Sequence, residues 1–455
     1  MMKRKKRTIV SLLLTIAIVM NCAGCGGGNT GDNVDDNTKK DEKITLTVTV
    51  SSAEVGSSEV FQRYMDEHKN IIIEEVPTSN GDTKLLSMIA SGNPPDIIRF
   101  AGYDELPTFV QRGILMPLDE LLAESESFDE DDMFDVIETC RFDGKNRGTG
   151  SLYGIPKDWS PIGLWINKQA FAEAGIPLPS TTEPMTWDEF ADIAQRLVKK
   201  NGESIGRHGF ITALPLPTLL EMYLSSYGKS MWKDDYSGTT LESEDTMEAV
   251  KFFQTMQETA AMASNLFPSA DAIGTSALKE NKVGMVLGGY WFRGSYASAG
   301  TLSDVEDNLL YVPAPVGTDN KSYALDLTCL GIFSQTDHPK EAYELLEYLV
   351  LEEYSVTTRS KLGFNLPVAK KYMDTLPYET EFDKQILDVV NYQLTTFDPT
   401  AASVSPWISY TSLTTLFDKF YLPVLYNKST LENAMKTINE EVEILTEEGK
   451  ELMGE

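Results

Sequence analysis

Between residues 44 and 100 the sequence switches repeatedly between a two-residue and a 3.6-residue apolar period, and this alternation restricts the fold more than any other feature. ITLTVTV (44–50) alternates aliphatic residues with Thr, nearly all of them β-branched strand formers, and predicts a first strand. After a small polar run at 51–58, Val60, Phe61, Tyr64 and Met65 fall on one helical face, and IIIEEV (71–76) predicts a second strand. Residues 82–91 have a helical period that ends at Gly92, Asn93-Pro94-Pro95 breaks the chain, and 96–100 predicts a short buried strand. Strands alternating with helices predict an α/β domain with a mainly parallel sheet. Ligands of such sheets sit beyond the carboxyl ends of the strands, so residues 51–58 and 100–104 should face a crevice.

Ahead of this region lie five consecutive basic residues, Lys3, Arg4, Lys5, Lys6 and Arg7, and an uncharged apolar run at 8–20. The run is shorter than the ~20 residues that span a bilayer. Ala23 and Gly24 stand directly before Cys25, and the chain then becomes Gly-Gly-Gly-Asn-Thr-Gly-Asp-Asn. The segment resembles a bacterial lipoprotein signal. The resemblance implies cleavage of residues 1–24, a diacylglycerol on the Cys25 sulfur, and a mature protein held on the extracytoplasmic face of the cell membrane. Cys22 departs from the pattern, which usually has Leu there. The alternatives are a soluble secreted protein cut nearby and an uncleaved anchor. Cys22 and Cys25 also spell C-x-x-C, but the expected cut separates them. Residues 25–43 contain almost nothing apolar and should form a flexible tether.

Removing residues 1–24 takes five of the 39 basic residues and none of the 69 acidic ones, leaving 34 against 69. A nucleic-acid partner is excluded on charge, since phosphate binding needs a positive surface. At 455 residues the chain has room for two or three cores. His68, His208 and His338 lack a spacing suited to a shared metal, and the acidic run at 129–135 lacks the Gly and terminal Glu of a calcium loop, reading instead as a solvated helix start. Neither a metal nor a cofactor is expected. Cys140 and Cys329 could form one disulfide or remain buried thiols.

From Tyr153 the chain reads YGIPKDWSPIGLWINKQAFAEAGIPLPSTTEPMTWDEFADIAQRL. Gly154-Ile155-Pro156, the strand-like run ending in Asn167-Lys168, Phe171, Ala174-Gly175, Pro179 and Thr186-Trp187-Asp188-Glu189 together resemble the extracellular solute-binding proteins of family 1, the group containing maltose-binding and other oligosaccharide-binding lipoproteins of ABC importers. The usual Tyr before the Asn is Ile166 here, with Trp165 one position earlier. Independently of the family, Thr186 and Glu189 have the spacing of a capping box, with Trp187, Phe190, Ile193 and Leu197 as the apolar face of the helix it opens. Further matches follow in order: 90–97 (Ser-Gly-x-Pro-Pro-Asp), 110–118, 282–285 with Gly288-Gly289-Tyr290-Trp291, 311–315 and 338–342.

The resemblance implies an α/β, two-lobed periplasmic-binding-protein-like fold of type II, with crossings near Pro156 and Pro313. The N-terminal lobe would comprise 44–157 and 313–354, and the C-terminal lobe 158–312 and 355–455. It further implies a monomer that performs no reaction, closes on a carbohydrate, and delivers it to ABC-transporter permease subunits in the membrane.

A sugar site needs flat aromatic surfaces rimmed by carboxylates, amides or Arg. Trp291 heads the candidates, because it lies in the matching loop with Tyr290 and Arg293 beside it. Asp158 and Trp159 follow at the crossing, and Trp232 and Trp407 are further candidate platforms, while Trp165 and Trp187 sit inside apolar patterns and read as core. Glu54, Tyr103, Asp104 and Asp326 are the polar candidates. Arg99 reads equally as a partner for a buried carboxylate.

A surface-anchored glycoside hydrolase is the main rival, and it would need two carboxylates at a fixed separation. No motif marks such a pair, and no G-x-S-x-G, H-E-x-x-H or P-loop occurs. Within the binding class, peptides, polyamines and iron are the other ligand readings, iron calling for clustered His or paired Tyr ligands and a cationic ligand for Trp walls. A structural or adhesive surface protein would carry internal repeats, and none is evident.

Overall fold

The computed structural model describes residues 43–51, 57–78, 83–102, 104–264, 275–319, 325–361, 363–364, 366–376 and 378–453. The signal, Cys25, the tether, Glu54 and Tyr103 lie outside them. A single compact unit spans Lys43–Glu455.

Its strands are β1 (Ile44–Ser51), β2 (Ile71–Thr78), β3 (Ile97–Ala101), β4 (Arg141–Phe142), β5 (Ser151–Leu152), β6 (Ile155–Asn167), β7 (Lys199–Asn201), β8 (Ser204–Thr212), β9 (Val283–Gly289), β10 (Leu309–Pro313) and β11 (Leu325–Ile332). Nine of them form one sheet, eight in the order β2-β1-β3-β11-β6-β9-β8-β7 and the ninth, β10, paired to β6 off that path, while β4 and β5 form a separate hairpin. The sheet is mixed rather than mainly parallel as expected: β1 is parallel to β2 and β3, and β8 to β9, whereas β6 is antiparallel to β9 and β10, and β7 to β8. β11 is antiparallel to both its neighbours.

The local signals explain the elements. Val60, Phe61 and Tyr64 of helix Ser57–Glu67 are buried against the β1 face carrying Leu46, Val48 and Val50. In helix Trp187–Leu197, Thr186 Oγ1 accepts from Glu189 N and Glu189 Oε2 accepts from Thr186 N, which completes the capping box. Trp187, Phe190 and Leu197 are buried and Ile193 packs at the edge, as their spacing predicts. At 130–132 the acidic run forms a short 3-10 turn whose cap is Asp129, accepting from Asp131 N.

β6 is the element that joins two cores. Residues 155–161 pair with β11, and 162–167 pair with β9 and β10. One hydrophobic cluster gathers β1 to β3, β11 and residues 342–390; the other gathers Leu164, Ile166, helix Trp187–Leu197 and residues 402–442. After Tyr354 the chain does not leave the first cluster at once. Helix Glu353–Ser360 packs on helices Ser57–Glu67 and Pro339–Leu351, because Val356 and the following Leu366 and Val368 face that core, and the second cluster recruits the chain from Ala402.

Candidate functional site

Where β6 passes from one core to the other, an open cleft of ≈ 340 Å³ is bounded by the carboxyl end of β1 (Ser51), by Arg99 on β3, by Lys157 and Asp158 on β6, and by Asp326 and Thr328 on β11. Its other walls are Trp291 and Ser295 of helix Trp291–Ser298, Arg359 and Ser360 of helix Glu353–Ser360, and the segment with Phe364 and Pro367. The expectation that the end of the first strand faces a crevice is met at Ser51.

Backbone irregularity puts the charged residues there. Thr328 pairs with Asp158 but Cys329 pairs with Pro156, so Lys157 is an extra residue in β6. Consecutive strand residues normally point to opposite faces; the bulge lets Lys157 and Asp158 share one. Pro156, which has no N–H for the ladder, stands beside it. Lys157 Nζ lies 3.4 Å from Asp158 Oδ2, and Arg359 Nη1 lies 3.3 Å from the same oxygen. Arg99 Nη2 donates to Thr328 Oγ1 at 3.3 Å, and its backbone N donates to Thr49 Oγ1 at 2.6 Å. Asp326 keeps solvent contact in the cleft while surrounding protein raises its carboxyl to about 6; Asp158 adds to the shift and Arg99 opposes it.

Trp291 is half-buried on the cleft wall. Its ring lies nearly parallel to Phe292, with centroids 6.2 Å apart. A Cβ at Gly289 would collide with the Trp291 ring, so that glycine is what lets the indole lie back over β9 and present its other face. Ser295, one turn on, donates to the Trp291 carbonyl and lines the same wall.

A second, smaller depression is lined by Asp104, Thr218, Glu221, Trp232, Ser405 and Tyr410. Burial raises the half-buried Asp104 to about 7, with Glu105 and, more weakly, Asp326 adding to the shift and Arg147 opposing it. Burial also raises the Tyr410 phenol, and both Asp104 and Asp326 contribute. Tyr410 Oη and Thr218 Oγ1 are 2.9 Å apart.

Of the sequence candidates, Asp158, Asp326 and Trp291 therefore meet in the cleft, and Asp104 stands at the adjoining depression. Five others are corrected. Trp159, next to Asp158 on β6, points to the opposite face: it is 1% exposed, its Nε1 donates to Pro367 O at 2.8 Å, and its ring meets the edge of Phe134. Tyr290 is fully buried, its ring edge-on to Tyr378. Arg293 is turned inward, its Nε 2.7 Å from Asp383 Oδ1 and its guanidinium over Tyr378, where it ties two helices together. Trp407 is buried in the second cluster, with its backbone against Gly449 of helix Leu431–Met453. Trp232 is also largely buried, packed in the second cluster near Tyr236, with an edge on the smaller depression. Trp165 and Trp187 are core, as their patterns predict; their indoles donate to Gly289 O and Ser226 Oγ. Arg359, Thr328, Ser360 and Tyr410 escaped the sequence reading, because no motif distinguishes them from solvated helix and strand residues.

This sheet order and the cleft at its crossing strand define a mixed α/β periplasmic-binding-protein fold. Residues 52–355 match the family described as bacterial extracellular solute-binding protein, and the chain belongs to that family. The family binds solutes and does not transform them, which sets the hydrolase reading aside. The arabinooligosaccharide-binding protein of Halalkalibacterium halodurans is 22% identical over 315 residues, 67% of this chain and 66% of that protein. An ABC transporter extracellular-binding protein of Pyrococcus horikoshii is 24% identical over 389 residues, 80% of this chain and 83% of that one. The structure of an ABC substrate-binding protein of Listeria monocytogenes in complex with cycloalternan superposes with a TM-score of 0.71 at 17% identity, covering 88% of this chain and 98% of that one. Among the described residues no helix is long and apolar enough to cross a membrane.

Proposed function

We propose that this protein is the substrate-binding component of an ABC importer and captures a carbohydrate, most naturally an oligosaccharide, in the cleft around Trp291. The observation that carries the reading is the half-buried Trp291 ring facing a cleft rimmed by Asp158, Asp326, Arg99 and Arg359. An indole face matches the C–H face of a pyranose, and paired carboxylates and guanidinium groups match its hydroxyl edge. The arabinooligosaccharide-binding relative and the cycloalternan-bound structure support the same ligand class. Closure would be a hinge about the 155–167 crossing strand and the return near Pro313, with the chain between Tyr354 and about residue 400 moving with the first core rather than with the second lobe as expected from the sequence. The lipid anchor at Cys25 rests on the Ala23-Gly24-Cys25 signal. Monomeric action and docking on a membrane permease complete the proposal.

The test is calorimetry and thermal shift on the compact unit, Lys43 to the C-terminus, against mono-, di- and oligosaccharides, peptides and polyamines. A saccharide that binds, returns unchanged and loses affinity in Trp291→Ala supports the reading. Binding of peptides or amines alone would overturn the carbohydrate assignment while leaving the solute-binding fold intact.

A further inference from the structure

We propose that Cys140 and Cys329 are joined by a structural disulfide in the protein as it exists outside the cell. Their Sγ atoms lie 3.1 Å apart, although the residues are 189 positions apart in sequence. A disulfide bond is about 2.05 Å long, so a small side-chain adjustment closes the gap. Both side chains are fully buried. Cys140 ends the 3-10 turn Asp135–Cys140, and Cys329 sits on β11 between Phe100 of β3 and Pro156 of β6. Gly102 supplies the room: a Cβ there would collide with Cys329 Sγ.

An extracellular protein folds where thiols meet oxidants rather than a reducing pool, and two sulfurs brought together there become bonded. One cysteine, as thiolate, attacks the disulfide of an extracytoplasmic thiol–disulfide oxidant and forms a mixed disulfide. The second thiolate displaces the oxidant, which departs as its dithiol. Two electrons and two protons leave this chain, one S–S bond forms here and one breaks in the oxidant. Burial raises the Cys329 thiol well above its ordinary range, so the exchange belongs to folding, before the 135–140 turn closes over β11. Both sulfurs lie in the first hydrophobic cluster, so the bond clips one core and does not span the crossing strand. It closes a long loop, which restricts the unfolded chain strongly.

The test uses the full chain, secreted through its own signal, unfolded in guanidinium with iodoacetamide and no reductant, then digested and mapped by mass spectrometry. The expected result is a cross-linked pair of peptides carrying Cys140 and Cys329, which separates on reduction with a gain of about 2 Da. Protein reduced in denaturant and refolded in reductant should melt about 5 °C lower. Recovery of both cysteines as alkylated thiols, in secreted protein and again after refolding in a glutathione redox buffer, overturns the proposal. Mapping the wild-type chain makes the outcome independent of whether Cys140→Ser or Cys329→Ser folds. Where Cys329→Ser does fold, Cys140 should alkylate.

Discussion

Trp291, Asp326 and Arg293 show how much a single residue's neighbours decide. Trp291→Ala removes the flat wall of the cleft and should weaken saccharide binding at least tenfold while leaving the melting temperature within about 2 °C, since the ring is only half-buried. Asp326 is held at about 6. Its carboxylate is therefore charged at neutral pH and protonated below 6. Affinity for a hydroxylated ligand should fall as the pH drops from 7 to 5, and calorimetry of Asp326→Asn over that range should give a flatter profile. Arg293 has the opposite character. With Asp383 buried beside it, Arg293→Ala leaves an unpaired carboxylate and should cost about 3–5 kcal/mol of stability, measured by urea unfolding, without a specific loss of binding. Sequence placed these residues beside one another in the candidate list because chemistry at a single position is the same whether a side chain faces ligand or core.

At the scale of elements, Glu221 fastens three segments. Its Oε2 accepts from Met231 N, and its Oε1 accepts from Ser230 Oγ and Ser403 N, joining helix Leu216–Ser225 to two loops. Burial raises its carboxyl to about 7, against the lowering effect of those donors. A carboxyl raised in the folded state binds its proton more tightly there than in the unfolded chain. Stability from Glu221 and Asp104 is therefore full below pH 4 and is lost as the pH rises to about 7. Thermal melts between pH 4 and 8 should show a falling contribution over that window, and Glu221→Gln should remove part of it. The Thr186 capping box and the apolar face behind it were legible because both are set by spacing within one helix. The carboxyl end of β6 was legible as a strand, but its full length and its bulge at Lys157 were not. The bulge depends on how β11 registers against it, 170 residues later in the chain.

For the whole molecule, the proposed hinge predicts a measurable change of shape. A bound saccharide should lower the radius of gyration in solution scattering, and Trp291→Ala at the same ligand concentration should not show the decrease. The sequence by itself determined the alternation of strands and helices, the helix caps, the apolar faces and the membership of the solute-binding family, because each is written in local periods and short motifs. Only the tertiary structure decided which of two adjacent residues, Asp158 or Trp159, faces the cleft, and whether Arg293 meets a ligand or Asp383. It also decided that the chain past Tyr354 stays with the first core and that Cys140 reaches Cys329. Strand alternation allows either face until a partner strand sets the register, and a buried pair between distant segments leaves no trace in the spacing of either one.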